Sequence, residues 1–206
     1  NKKNIEGFNA GINTNTGTRV NRSSFNINAG KNRFGISGSG GARYGWPRQG
    51  NSKATNTVFS NDGDILSKQI KIGEFIGNWV GFRGSVDIYY DINSFNSITT
   101  NFQTNGQNKF NNYDQDVIFD DEESVQYLVK DSTSNISTDY EWTVNYNKLF
   151  ENRPGKELAA SFQYGTRIFD DNKTINQENY NDIIIENLMN GDSFELTGQV
   201  DYVHPL

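Results

Sequence analysis

The sequence predicts an all-β, antiparallel transmembrane β-barrel segment of about eight strands. Three observations carry this: an alternation of apolar and polar residues held over unusually long runs, aromatic residues gathered near the ends of those runs, and connections that alternate between short and long. Composition agrees. Of 206 residues only 33% are hydrophobic, yet 13% are aromatic and 20 are glycine. Such a chain favours strands and offers little to helices. Fourteen Phe, 10 Tyr and 3 Trp are also too many for a disordered polymer.

The first two strands, about 5–15 and 22–30, carry weaker apolar alternations: Phe8, Ala10, Ile12, then Phe25, Ile27, Ala29. The third, about 33–46, is the longest run. Phe34, Ile36, Gly38, Gly40, Ala42, Tyr44 and Trp46 alternate with Arg33, Gly35, Ser37, Ser39, Gly41, Arg43 and Gly45. The fourth, about 78–91, sets Val80, Phe82, Val86, Ile88 and Tyr90 against Gly81, Arg83, Ser85, Asp87 and Tyr89. The fifth, about 96–105, alternates Ile98, Thr100 and Phe102 with polar residues. The sixth, about 136–150, opposes Tyr140, Trp142, Val144 and Tyr146 to Glu141, Thr143 and Asn145. The seventh, about 157–169, and the eighth, about 193–204, repeat the pattern with Leu158 to Ile168 and Phe194 to Tyr202.

These runs exceed the usual ~5–6 residues of a soluble strand and fit the ~9–11 needed to cross a bilayer. Short links fall near Lys31-Asn32, 91–96 and Asn152–Lys156; long loops are expected over about 47–77, 106–135 and 170–192. Short turns on one rim and long loops on the other is the outer-membrane arrangement. The alternative is a soluble β-domain, a glycan-binding lectin for example, with the apolar face buried internally.

Several function classes are disfavoured. With no cysteine there is no disulfide framework and no thiolate chemistry, and the one histidine, His204, stands alone. No acid–base pair has a catalytic context, so no enzyme activity and no cofactor are expected. A net charge of −6 is a poor match for nucleic acid.

Candidate site residues follow from the predicted faces. Arg33, Arg43, Arg83, Asp87, Glu141, Arg167, Glu195 and Asp201 fall on the polar side, as a substrate-lining set or as an interior ladder of ion pairs. Tyr44, Trp46, Trp79, Tyr90, Tyr140, Trp142 and Tyr202 are placed as a membrane-interface girdle, with sugar stacking as the other use for such rings. Asp114, Asp116, Asp120 and Asp121, beside Glu122 and Glu123, form an acidic cluster. It is a weak calcium candidate without EF-hand spacing, and otherwise a solvated loop. The run Asn61-Asp-Gly-Asp64 reads as a turn.

Three short motifs carry a resemblance. They are Tyr140-Glu-Trp-Thr-Val-Asn-Tyr-Asn-Lys-Leu-Phe150, then Pro154-Gly-Lys-Glu-Leu158, then Gln199-Val-Asp-Tyr-Val-His-Pro-Leu206. In this order they resemble the barrel of TonB-dependent receptor-like outer-membrane proteins of the Bacteroidota type. Lys2-Lys3 with Gly7-Phe8-Asn9 is similar to the point where that family's plug hands over to the barrel. The resemblance implies location in a bacterial outer membrane and uptake of a nutrient or other ligand. It implies a parent barrel of about 22 strands, so that this chain is an internal piece, with a complete eight-stranded barrel as the structural alternative. The partners it implies are outer-membrane lipid, the missing plug and remaining strands, and an energising inner-membrane complex or other outer-membrane proteins. A structural or assembly barrel that holds partner proteins without transport is the functional alternative.

Overall fold

A computed structural model of the chain describes residues 6–120 and 125–205. Lys2, Lys3, Asp121, Glu122, Glu123 and Leu206, drawn on above, lie outside them. Eight antiparallel strands form one meander in sequence order: β1 Gly7–Asn15, β2 Val20–Lys31, β3 Phe34–Phe59, β4 Ile65–Asn93, β5 Asn96–Asp120, β6 Val125–Leu149, β7 Glu157–Glu178 and β8 Ile183–Val203. Each strand pairs only with its neighbours in sequence. Among the described residues β1 and β8 do not meet, so the sheet is open at both edges.

The expected links on one rim are turns. Asn32, at φ 55°, reverses the chain between β2 and β3. Phe95 N–H donates to Asn93 Oδ1 at 2.9 Å between β4 and β5. The 150–156 link closes with Phe150 N–H on the Lys156 carbonyl and with Gly155 at φ 85°, a conformation glycine takes without strain. The Asn61–Asp64 run is also a turn: Ser60 Oγ accepts from the N–H groups of Asp62 and Asp64.

The three long loops expected over 47–77, 106–135 and 170–192 are instead continuations of the strands. β3–β4 and β7–β8 run on as hairpins with connections at 60–64 and 179–182, and β5 and β6 stay paired up to Phe119 and Val125. β5 and β6 have 25 residues each, which is about 80 Å of extended chain. Two features hid these extensions. First, β3 contains a bulge: Gly45 pairs with Trp79 but Arg48 pairs with Gly77, so Trp46-Pro47 oppose Asn78 alone. The extra residue shifts every later β3 side chain to the other face and admits a proline that the ladder would otherwise reject.

Second, the apolar side changes. In the lower half the convex face carries Leu158, Ala160, Phe162, Tyr164 and Ile168 of β7, beside Ile136, Tyr140, Trp142, Val144 and Tyr146 of β6. Above that level the convex face of β5–β7 turns mostly polar, with Asn112, Asp114, Asp116, Ser132, Ser134, Asn172, Thr174 and Asn176 outnumbering Phe110, Ile118 and Leu128. Apolar residues reappear on the concave side as Val117, Phe119, Tyr127, Val129 and Ile175. There Phe119 stacks on Tyr127 with ring centroids 6.1 Å apart, and Tyr127 on Tyr180 at 6.3 Å. β4 and β8 depart from this switch: Ile72, Ile76, Ile184 and Leu188 keep apolar groups on the convex face.

Among the described residues the sheet has no second layer. Val117, at 2% exposure, is the one buried hydrophobic residue among those described. Phe102, Trp142, Phe162 and Leu196 lie side by side on the lower convex face, 42 to 58% exposed. Contiguous exposed apolar rows of this kind are rare on soluble monomers and mark surfaces that another molecule or a membrane covers.

Candidate functional site

The strand registers build a polar ladder on the concave face. One rung reads Asn15, Arg22, Arg43, Gly81, Gln107, Ser137; the next reads Asn13, Ser24, Gly41, Arg83, Asn105, Asp139, Arg167, Ser193. A cleft of about 620 Å³ lies over these rungs, lined by residues from β1 to β7, which makes this the concave side. A second cleft, about 490 Å³, lies over Asp139, Glu141, Arg167 and Glu195.

Seven of the eight polar-side candidates fall on this face. Arg43 and Arg83 line the larger cleft, and Glu141 and Glu195 flank Gly165 in the smaller one. Asp87 accepts from Asn101 Nδ2 at 2.6 Å and from Ser37 Oγ at 3.4 Å. Asp201 accepts from Gln199 Nε2 at 2.7 Å. Arg167 Nε lies 3.5 Å from Asp139 Oδ1, directly across the ladder. Arg33 is the exception: it sits in the β2–β3 turn, where its Nη1 donates to the Ile92 carbonyl at 3.0 Å and ties two adjacent turns together.

Sequence reasoning passed over Arg22. Its signal was present, since Arg22, Ser24 and Asn26 alternate with Phe25 and Ile27, but β2 was the weaker pattern. The charges on this face lean one way from edge to edge. Arg22, Arg43 and Arg83 stand on β2–β4 with one carboxylate lower down, Asp87, whereas Asp139, Glu141, Glu195 and Asp201 stand on β6–β8 with one guanidinium, Arg167.

The girdle candidates divide. Tyr44 and Trp46 stand together at the upper limit of the apolar band, edge to face at 5.2 Å, and the Trp46 indole N–H donates to the Gly17 carbonyl at 3.1 Å. Tyr90 and Tyr202 stand at its lower limit. Tyr140 and Trp142 are not at a strand end, because β6 extends back to Val125; they occupy the middle of the band. Trp79 is on the opposite face. It pairs with Gly45, whose missing side chain leaves room for the indole, and Arg43 lies over its ring at 5.8 Å.

The described part of the acidic cluster belongs to a strand. Asp114 and Asp116 are convex-face residues of β5, and Asp114 faces Lys130. Asp120 ends β5, and Asp121 is outside the described residues. Among the described residues no group of acidic or imidazole side chains is arranged to hold a metal ion. Lys130 instead donates to both Glu178 carboxylate oxygens at 2.9 Å, and this hydrogen bond raises its pKa above 10.5.

Comparison with known proteins finds no matching family model and no similar curated protein.

Proposed function

We propose that the chain is a wall segment of a bacterial outer-membrane β-barrel, TonB-dependent receptor-like, through which a nutrient or other ligand is taken up. The observation that carries this reading is the uncovered convex band, which has similar limits on β3, β6 and β7 and is carried further up by Ile72 and Ile76 of β4 and Ile184 and Leu188 of β8. The outward residues run from Phe34 to Tyr44 on β3, Val80 to Tyr90 on β4, Ile136 to Tyr146 on β6 and Leu158 to Ile168 on β7. Each run covers about 33 Å of strand, and at the ~40° tilt of such barrels this spans about 25 Å, the height of an outer-membrane apolar band. Above it the convex face of β5–β7 becomes mostly polar, which suits a surface in water.

The open edges of β1 and β8 carry unpaired backbone groups that lipid does not satisfy. They call for further strands, which accords with a larger parent barrel. The polar concave face then lines the lumen, and the tall hairpins stand clear of the membrane where ligand arrives.

The test is extraction of the native protein. It is expected in the outer-membrane fraction, soluble only with detergent, and shifted in electrophoretic mobility by heating. Recovery as a monomer in plain buffer would overturn the membrane reading. Deletion of the gene should impair uptake of at least one nutrient; unimpaired uptake across a nutrient panel would favour a structural barrel.

A further inference from the structure

We propose that the arginine-rich cleft on β2–β4 is a binding site for a small multivalent oxyanion, a molecule bearing two or more carboxylate or phosphate groups. Arg22 and Arg43 are direct register partners. Like charges placed opposite one another destabilise a sheet, and the pair is joined by Arg83 one rung below. Among the described residues no carboxylate forms an ion pair with any of these three guanidinium groups. Asp139, the carboxylate in the lining of the cleft, is already engaged by Arg167. An arrangement that concentrates positive charge without internal compensation is stabilised by an anion lying between the guanidinium groups, and planar forks suit carboxylate and phosphate oxygens.

The floor of the cleft leaves room for such a guest. Arg43 faces Gly81 across the β3–β4 ladder, and Gly41 faces Arg83, so these two arginines each have a residue without a side chain on one flank. The open space is at Gly81, where an added Cβ would find no heavy atom nearer than 3.7 Å; at Gly41 it would meet the Ser23 carbonyl at 2.8 Å. Trp79 holds the Arg43 guanidinium from one side, and the amides of Asn15, Asn105 and Gln107 add donors around the rim. The volume, about 620 Å³, suits a small molecule.

This inference rests on reading the concave face as the ligand-facing wall, but it can be tested apart from transport. The full protein in detergent is titrated calorimetrically with citrate, with pyrophosphate and with acetate. Citrate or pyrophosphate is expected to bind and acetate much more weakly; which of the two binds tighter tells a polycarboxylate site from a phosphate site. Arg22→Gln, Arg43→Gln and Arg83→Gln should each weaken binding about ten- to a hundredfold, the range of one charge-assisted hydrogen bond. Lys130→Gln, in the distant hairpin, should leave it unchanged. Retained heat-dependent mobility would show that each variant folds. Equal affinity for acetate, or loss in Lys130→Gln as large as in the arginine variants, overturns the proposal. A protein that needs detergent yet binds neither polyanion also overturns it while leaving the membrane reading intact; arginine-dependent binding by a protein soluble in plain buffer would do the reverse.

Discussion

An arginine introduced at Phe162 should separate a lipid-facing sheet from a water-facing one. Phe162 lies at the centre of the convex run from Leu158 to Ile168, between Val144 and Gly198, with its ring edge-on to Trp142 at 6.2 Å. It is 42% exposed on a face that none of the described residues covers. At the bilayer midplane an arginine destabilises a barrel by about 2–4 kcal/mol, falling to about 0–1 near the interface. Asn172 lies on the same face of the same strand, about 33 Å further along and about 25 Å higher at the usual tilt. That places it beyond the apolar run of its own strand, which ends at Ile168. Phe162→Ala supplies the reference, because it removes the phenyl contacts, including an aromatic pair worth about 0.5–1.5 kcal/mol, without adding charge. Urea unfolding in phospholipid vesicles should therefore find Phe162→Arg about 2–4 kcal/mol less stable than Phe162→Ala, and Asn172→Arg within about 0.5 kcal/mol of the parent. Equal cost at both positions, or Phe162→Arg matching Phe162→Ala, would refute the assignment of this face to lipid.

Further outcomes follow from local geometry. Gly35→Val drives a side chain into the Tyr89 ring that lies across it; unfolding should show a loss of about 1–3 kcal/mol, and the double variant Gly35→Val, Tyr89→Ala should recover part of it. The Arg167–Asp139 pair is 57% and 39% exposed at its side chains, so a double-mutant cycle with Arg167→Met and Asp139→Asn should give a coupling below about 1 kcal/mol. Lys130 gains a carboxylate partner on folding, and its folded pKa lies above 10.5. The stabilisation is therefore complete below that value and is lost as pH rises through the folded pKa. Glu178→Gln should flatten this alkaline dependence in unfolding measured from neutral pH upward.

Much of the lower sheet was legible in the residues alone. Period-two alternation determined the two faces from Phe34 to Tyr44 and from Leu158 to Ile168, because a strand side chain can point only one way or the other. Asn-Gly-Pro-rich links marked the turns at 61–64 and 152–156. The hairpin extensions were illegible for a physical reason: above the band the convex face of β5–β7 turns mostly polar while much of the concave face is polar as well. Segments such as Asn105 to Asp116 then lose the contrast that marks a strand, and hydrogen bonding to a neighbour sustains them instead. Position across strands belonged to the tertiary structure altogether. The bulge at Trp46-Pro47 sets which face the upper half of β3 presents. Register sets Trp79 over Gly45 and Arg22 against Arg43, and it moves Tyr140 and Trp142 from a supposed rim to mid-band. Alternation along one strand is a local property of the chain; which residues stand side by side depends on turn lengths and bulges that add up only when all the strands are paired.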